Sequence, residues 1–158
     1  MVVLSKASLR DIPVMQSIVE EKVHEGVILK RSDDEIATNI RSYILAKEEG
    51  NLLGYAALHI HSARLAEIRS LIVADPYRGR GIGRMLVEYM LHEAVELGLS
   101  EEVLVLTYLP NFFKKMHFVE ISKESIPEHK IWADCIKCIH FPTCNEVSLV
   151  YRLDEGQQ

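Results

Sequence analysis

Residues 67–98 read EIRSLIVADPYRGRGIGRMLVEYMLHEAVELG. The stretch opens with an apolar run of strand length, Glu67–Val73, and closes with Leu86, Met90 and Ala94 spaced along one helix face. Three glycines and three arginines fall between residues 78 and 84, where the two elements join. Because the first N–H groups of a helix lack intrahelical acceptors and carry partial positive charge, such a junction binds anions well. The stretch therefore predicts a strand, a phosphate-binding loop and a helix.

The segments on either side are mixed in type. Val2–Leu4 predicts a first strand, Asp11 is the expected N-cap of a first helix, and Ser32 with Glu35 forms a capping box for a second. A polar turn at residues 48–51 separates two apolar runs and predicts a β-hairpin. Further elements are expected after the loop helix: strands near 103–107, 118–121 and 146–153, and a short helix near 111–116. Since a doubly wound parallel sheet would not begin with a hairpin, the order predicts an α/β (α+β) protein with a mixed, mostly antiparallel sheet and about four helices.

Composition narrows the class of protein. The chain has 158 residues, 48% of them hydrophobic, which suits a single domain spanning residues 1–158. The formal net charge of −5 argues against a nucleic-acid partner, which would require a basic face. Neither a membrane-spanning apolar run nor a signal-peptide layout is evident, so we expect no membrane partner and a cytoplasmic location.

Three ligand loops and one plain turn compete as interpretations of residues 78–83. A dinucleotide loop would have Gly-x-Gly-x-x-Gly near the first strand, whereas the glycines here alternate and lie mid-chain. A Walker loop would require Gly-Lys-Ser/Thr, which is absent. The segment Arg78-x-x-Gly81-x-Gly83 instead resembles the coenzyme A loop of acetyltransferases, Arg/Gln-x-x-Gly-x-Gly/Ala. A turn that only caps a helix is disfavoured, because it needs neither three glycines nor three arginines.

From Val3 to Phe118 the chain resembles the GNAT superfamily of N-acetyltransferases. Besides the loop, residues 111–118 (NFFKKMHF) resemble the Asn-x-x-Phe-Tyr-x-x-x-Gly-Phe region of that superfamily. Residues 25–32 (EGVILKRS) and the C-terminal segment 130–138 are similar to the acetyltransferase domain of N-acetylglutamate synthases of the short, stand-alone type. The resemblance implies a splayed sheet and acetyl-CoA as co-substrate. It also implies a small-molecule amine acceptor, the α-amine of glutamate first, in arginine biosynthesis.

The resemblance also suggests catalytic residues. Glu67 is the candidate base, acting through a water, and the competing interpretation is a solvated carboxylate at a strand end. A backbone N–H near Ile72 or Val73 is the candidate oxyanion donor. Phe113 stands where the superfamily often has a tyrosine acid, and because a phenyl ring donates no proton, Tyr108 is the alternative acid. A tyrosine at a strand end also serves as a packing residue.

The expected cofactor-binding positions are the end of the strand, the loop and two residues of the later short helix: Leu71, Ile72, Val73, Arg78, Gly79, Arg80, Gly81, Ile82, Gly83, Arg84, Asn111 and Phe113.

The acceptor site is expected to use cations. The resemblance assigns Arg31 to a substrate carboxylate and Leu29 to backbone contact, and guanidinium geometry suits a carboxylate. Arg69 is a second candidate, because strand alternation places Glu67, Arg69 and Leu71 on one face. The competing interpretation of Arg31 is a solvated residue beside a helix cap. His59 and His61 alternate along a predicted strand and are left without a role.

The three cysteines lie close together near the C-terminus, at Cys135, Cys138 and Cys144, in a segment of about residues 129–146. Their spacing favours reduced thiols that pack a C-terminal hairpin. A structural zinc ion held by these cysteines is the alternative, with a fourth ligand from a nearby His or Asp.

Two other functions stay open at this level. One is acetylation of a different amine: a polyamine, a protein N-terminus or a lysine. The other is a non-catalytic acetyl-CoA sensor, which the phenylalanine at position 113 keeps open. The resemblance also allows a homodimer.

Overall fold

The computed structural model describes residues 1–24, 30–126 and 146–153. Seven strands are β1 Val3–Lys6, β2 Tyr43–Glu48, β3 Asn51–Ile60, β4 Leu65–Val73, β5 Glu102–Thr107, β6 Val119–Ile121 and β7 Val147–Arg152. The four α-helices of the described residues are α1 Ile12–His24, α2 Asp33–Thr38, α3 Ile82–Glu96 and α4 Pro110–Lys114. The predicted order of elements is confirmed, including the hairpin and the strand, loop and helix of residues 67–98.

The seven strands form one sheet in the order β1-β2-β3-β4-β5-β7-β6. Neighbouring strands run antiparallel except β4 and β5, which run parallel. The mixed, mostly antiparallel sheet predicted from the order of elements is therefore confirmed. Because parallel strands need a crossover, helix α3 connects β4 to β5 across one face of the sheet.

Apolar side chains bury both faces of the sheet. On one face, Leu86 and Met90 of α3 are fully buried against strand residues such as Leu58. On the other face, Met15 of α1 and Ile36 of α2 pack against β2 and β3. The helical spacing read from the sequence therefore corresponds to the buried side of each helix.

The first helical segment begins earlier than the sequence suggested. A 3-10 turn, Leu9–Asp11, leads directly into α1, and Ser8 is its N-cap. The prediction of Asp11 as N-cap is wrong, because its carboxylate reaches back to accept the Ser8 N–H at 2.8 Å. The capping box predicted for α2 is confirmed, since the Glu35 N–H donates to the Ser32 hydroxyl at 3.1 Å.

A β-bulge in β4 changes which side chains share a face. Tyr55 pairs with Ile72 and Ala57 with Arg69, so Ser70 and Leu71 together face one residue of β3. Ser70 has φ 56°, which accommodates the extra residue. Glu67 and Arg69 do share a face, but the expectation that Leu71 joins them is wrong, because the bulge turns Leu71 towards the α3 side. Ile72 takes that place.

Across the described ranges, none of the helices combines the length and apolar character needed to cross a membrane.

Candidate active site

The two parallel strands separate towards their C-terminal ends. Pairing of β4 with β5 runs from Leu65–Glu102 to Ile68–Val105 and goes no further, although both strands continue. The backbone of residues 69–73 therefore has no β5 partner on that side. This opening is the splay that the resemblance implied, and it exposes backbone donors and acceptors to an extended ligand.

Strand β3 lies very close to the end of β4 beside this opening. A Cβ on Gly54 of β3 would lie 2.5 Å from the carbonyl oxygen of Ile72. Only glycine allows β3 to lie this close to the end of β4. The packing of β3 therefore holds the candidate oxyanion donors, Ile72 and Val73, in place.

The glycine loop has the geometry of an anion cradle. Gly79 and Gly81 adopt left-handed φ values of 79° and 78°, and Gly81 is the N-cap of α3. The first N–H groups of α3 point out of the helix end without intrahelical acceptors. A Cβ on Gly83 would lie 3.4 Å from the Phe112 ring and 3.9 Å from the Val73 side chain, so its absence keeps the space beside the helix end open. These features fit the pyrophosphate of a coenzyme A molecule.

The loop arginines have acidic partners. Arg80 donates to both carboxylate oxygens of Glu48, at 2.9 and 3.1 Å, which ties the loop to the β2–β3 hairpin. This hydrogen bond lowers the pKa of Glu48. Arg78 lies 3.3 Å from Asp75 and Arg84 lies 2.8 Å from Glu88, so the arginine charges are partly offset. The helix end and its glycines are therefore the stronger basis for the fit to an anion.

Helix α4 presents two aromatic rings in different directions. Phe113 is 2% exposed and packs in the core against Phe118, with ring centroids 5.2 Å apart. Phe112 is half-buried and lies against Gly83 at the mouth of the splay, a position that the sequence reasoning missed. The signal in the sequence is the three-residue spacing of Phe113 and Met116, which puts these two on one helix face and Phe112 on another. Asn111 is exposed at the start of α4.

Tyr108 directly follows β5, at the open end of the splay, and its hydroxyl oxygen is buried. The structure therefore places this candidate acid across the opening from the candidate oxyanion donors, at the same C-terminal end of the two parallel strands. Its role as an acid stays a prediction.

Glu67 is buried on β4, with 4% exposure. Its Oε1 atom accepts a hydrogen bond from Arg69 Nε at 2.8 Å and lies 3.0 Å from His61 Nε2. The competing interpretation of a solvated carboxylate at a strand end is therefore wrong. His61 was left without a role from the sequence, and no pattern in the chain signalled this contact, because His61 lies just beyond β3.

The two predicted acceptor-site cations lie near one tyrosine. Burial raises the pKa of Tyr43, and the charges of Arg31 and Arg69 and a hydrogen bond with Ser70 act in the opposite direction. The side chains of Arg31 and Arg69 are only 14% and 16% exposed, so neither is a solvated surface residue. Arg31 also lies 3.7 Å from Glu35. The sequence predicted both arginines, but not that Tyr43 and the bulge residue Ser70 would lie with them.

Four predicted site residues lie outside the described residues: Leu29, Cys135, Cys138 and Cys144. Within the part of the chain that is described, no group of three or more His, Cys, Asp or Glu side chains could hold a metal ion.

Comparison with known proteins identifies the class of enzyme. Residues 9–118 match the model of the acetyltransferase (GNAT) family, and the chain belongs to this family. The protein is therefore an N-acetyltransferase with acetyl-CoA as the acetyl donor. The family confirms the fold and the enzyme class that the sequence predicted, and the coenzyme A-binding role of residues 78–84 stays a prediction.

Two relatives show how similar individual proteins are to this chain. An uncharacterised N-acetyltransferase of Chlorobaculum tepidum is 41% identical over 147 residues, which cover 93% of this chain and 94% of that protein. An amino-acid acetyltransferase of Vibrio vulnificus is 23% identical over 126 residues, which cover 79% of this chain but 28% of the relative.

A structural neighbour is the N-acetylglutamate synthase of Neisseria gonorrhoeae complexed with coenzyme A and N-acetyl-glutamate. It has a TM-score of 0.86 and 25% identity, and the match covers 97% of this chain and 35% of that one. The chain thus spans about a third or less of these two longer relatives.

Proposed function

We propose that the protein acetylates the α-amine of a small amino acid with an anionic side chain, glutamate first, as an N-acetylglutamate synthase-like enzyme of arginine biosynthesis. The observation that carries this proposal is the position of Arg31 and Arg69, two largely buried cations near Tyr43, of which Arg69 contacts the buried carboxylate of Glu67. The names of the longer relatives, an amino-acid acetyltransferase and an N-acetylglutamate synthase, support the same substrate class. We also propose that residues 1–158 form a single domain and that the protein acts in the cytoplasm.

The donor side of the site follows from the loop and the splay. Acetyl-CoA supplies the acetyl group as a reactive thioester. The N-terminus of α3 and the glycines of residues 79–83 would hold its pyrophosphate. The backbone of residues 71–73, without β5 pairing, would bind its amide groups.

The chemistry requires a neutral amine, a stabilised acyl oxygen and a leaving thiolate. Glu67 would accept the ammonium proton through a water, and direct attack of the amine would follow in a ternary complex. A backbone N–H of Ile72 or Val73 would donate to the acyl oxygen as its negative charge develops. An ordinary thiol has a pKa of about 8.5, so the thiolate can leave without a strong acid, and Tyr108 is the candidate for assisting it.

The acceptor side rests on the two arginines. A guanidinium binds a carboxylate with two parallel hydrogen bonds, and partial burial strengthens such charge-assisted contacts. Glutamate carries two carboxylates, and Arg31 and Arg69 are two cations near one tyrosine. A polyamine acceptor would meet like charge there, which disfavours that alternative.

The test is thiol release from acetyl-CoA with glutamate, aspartate, glutamine, spermidine and a lysine peptide as acceptors. We expect saturable turnover with glutamate, and the Arg31→Ala variant to raise its KM by about tenfold or more, since a charged hydrogen bond contributes about 1.5–3 kcal/mol. The KM for acetyl-CoA should not change. Arg10→Ala, an exposed arginine, is the matched control. Turnover confined to another amine, or equal glutamate KM values in both variants, would overturn the proposal.

A further inference from the structure

His61 lies between the buried candidate base and a surface cavity. Its Nε2 atom is 3.0 Å from Glu67 Oε1, and its side chain is 11% exposed. It also lines a cavity of about 310 Å³. The imidazole therefore contacts Glu67 directly and can exchange protons with solvent through the cavity.

One carboxylate oxygen receives both contacts. Arg69 Nε donates to Glu67 Oε1 at 2.8 Å, and this guanidinium keeps its charge at any working pH. The His61 imidazole can donate from Nε2 in its neutral and its protonated form, but only the protonated form adds a second cation. A cation beside a carboxylate weakens it as a proton acceptor. A role of Glu67 as a base therefore requires the neutral form of His61 beside it.

We propose that His61 is a positioning residue for catalysis: its imidazole holds the Glu67 carboxylate in place by hydrogen bonding, and protonation of His61 suppresses the base. The proposal rests on the proposed role of Glu67 and adds a residue and a pH response to that role. Acetyl transfer should then require His61 to be neutral.

Several charged groups of the described residues surround this imidazole. Glu67 and Arg69 face it from β4, and the His59 ring of β3 meets it edge-on with centroids 4.6 Å apart. Arg64, Glu101 and Glu102 line the same cavity. Of these groups, Glu67 forms the hydrogen bond with the imidazole, between Oε1 and His61 Nε2 at 3.0 Å.

Two substitutions separate the hydrogen bond from the charge. His61→Gln can place an amide N–H near the Nε2 position but does not titrate, and the shorter His61→Asn does not reach as far. We expect His61→Gln to keep kcat within about threefold of the unmodified enzyme at about pH 8.5, the end of the range where protonation of His61 is least. His61→Asn should lower kcat by about tenfold or more, because a catalytic group loses its position. The KM for acetyl-CoA should stay unchanged in both.

The decisive readout is the ratio of kcat/KM for His61→Gln to that of the unmodified enzyme, measured from about pH 5.5 to 8.5. The ionisation of the substrate amine is common to both enzymes and cancels in the ratio. Since protonation of His61 can suppress only the unmodified enzyme, the ratio should rise about fivefold or more from the upper to the lower end of this pH range. His92→Gln, a 76% exposed histidine of α3, is the control with a flat ratio.

The outcomes separate this proposal from the role of Glu67. A flat ratio for His61→Gln, or equal losses with Gln and Asn, would overturn the proposal while leaving Glu67 as the base. Glu67→Gln tests the base itself: full activity in that variant would overturn the role of Glu67 and this proposal together. In a Glu67→Gln background the His61→Gln ratio should be flat, because His61 acts through Glu67. A rise that persists there would mean that His61 acts by another route and would contradict the proposal.

Discussion

A single carboxylate, Glu67, connects the two halves of the candidate site. It lies on β4 before the bulge, and the candidate oxyanion donors Ile72 and Val73 lie after it. Its hydrogen bond with Arg69 links it to the cations of the acceptor side. Because a buried carboxylate is stable only with such partners, its burial indicates a specific arrangement rather than a surface charge.

Glu67→Gln should remove the base without removing the donor site. We expect kcat to fall by about 10²–10⁴-fold, the usual contribution of a general base, with coenzyme A affinity unchanged. Steady-state kinetics and calorimetric titration with coenzyme A measure the two effects. Glu96→Gln, a 68% exposed carboxylate of α3, is the control with full activity. Equal activity of the two variants would contradict the assignment.

Substitutions of Ser70 test the bulge in β4, which determines the side chains that share a face with Glu67. A residue with a β-branched side chain is strained at its φ of 56°, so Ser70→Val should lower the free energy of unfolding by about 1–3 kcal/mol. Ser70→Gly tolerates that φ and should stay within about 1 kcal/mol of the unmodified protein, although it loses the Tyr43 hydrogen bond. Urea unfolding measures both variants. Equal stability of the two variants would show that the bulge is not strained.

At the scale of elements, the N-terminal helical segment is joined to the sheet by one acidic residue. The Asp11 carboxylate accepts the Ser8 N–H, and Lys47 of β2 donates to it at 3.0 Å. Burial raises the pKa of Asp11, but the hydrogen bonds from Ser8 and Lys47 outweigh it, so the net effect is a lowered pKa. A carboxyl whose pKa is lower in the folded state than in the unfolded state stabilises the fold at pH values above the unfolded-state pKa. This stabilisation is lost as the pH falls through the folded-state pKa.

Asp11→Asn should therefore destabilise the protein in a pH-dependent way. Near pH 7 we expect a loss of about 1 kcal/mol, because a hydrogen bond to a charged group contributes about that much more than one to a neutral amide. The difference from the unmodified protein should shrink below about pH 4, as the carboxyl becomes protonated. Thermal or urea unfolding at several pH values measures it. A difference that does not depend on pH would mean that the charge of Asp11 contributes nothing.

At the scale of the whole molecule, the sequence predicted the order of elements and the loop better than it predicted the site. Local patterns were sufficient for the Ser32 capping box, the hairpin and the helix after residue 81, because each depends on nearby residues. The bulge at Ser70 could not be predicted, since it depends on how β3 and β4 pair over a distance. The contact of His61 with Glu67 and the closeness of Arg31 and Arg69 to Tyr43 are likewise tertiary. Resemblance indicated Glu67 and Arg31, but only the fold supplies their neighbours.

The helix end of the donor site and Arg31 of the acceptor site lie on different elements, so a ligand should report on each separately. Coenzyme A that binds only the folded state stabilises it by about 2.7 kcal/mol at a concentration 100 times its Kd, which raises the Tm. Gly83→Val should reduce this rise by more than half, because its side chain would fill the space between the α3 end, the Phe112 ring and Val73. Arg31→Ala, on the acceptor side, should keep the full rise. Scanning calorimetry with and without coenzyme A measures the shift, and an undiminished rise in Gly83→Val would place the cofactor elsewhere on the molecule.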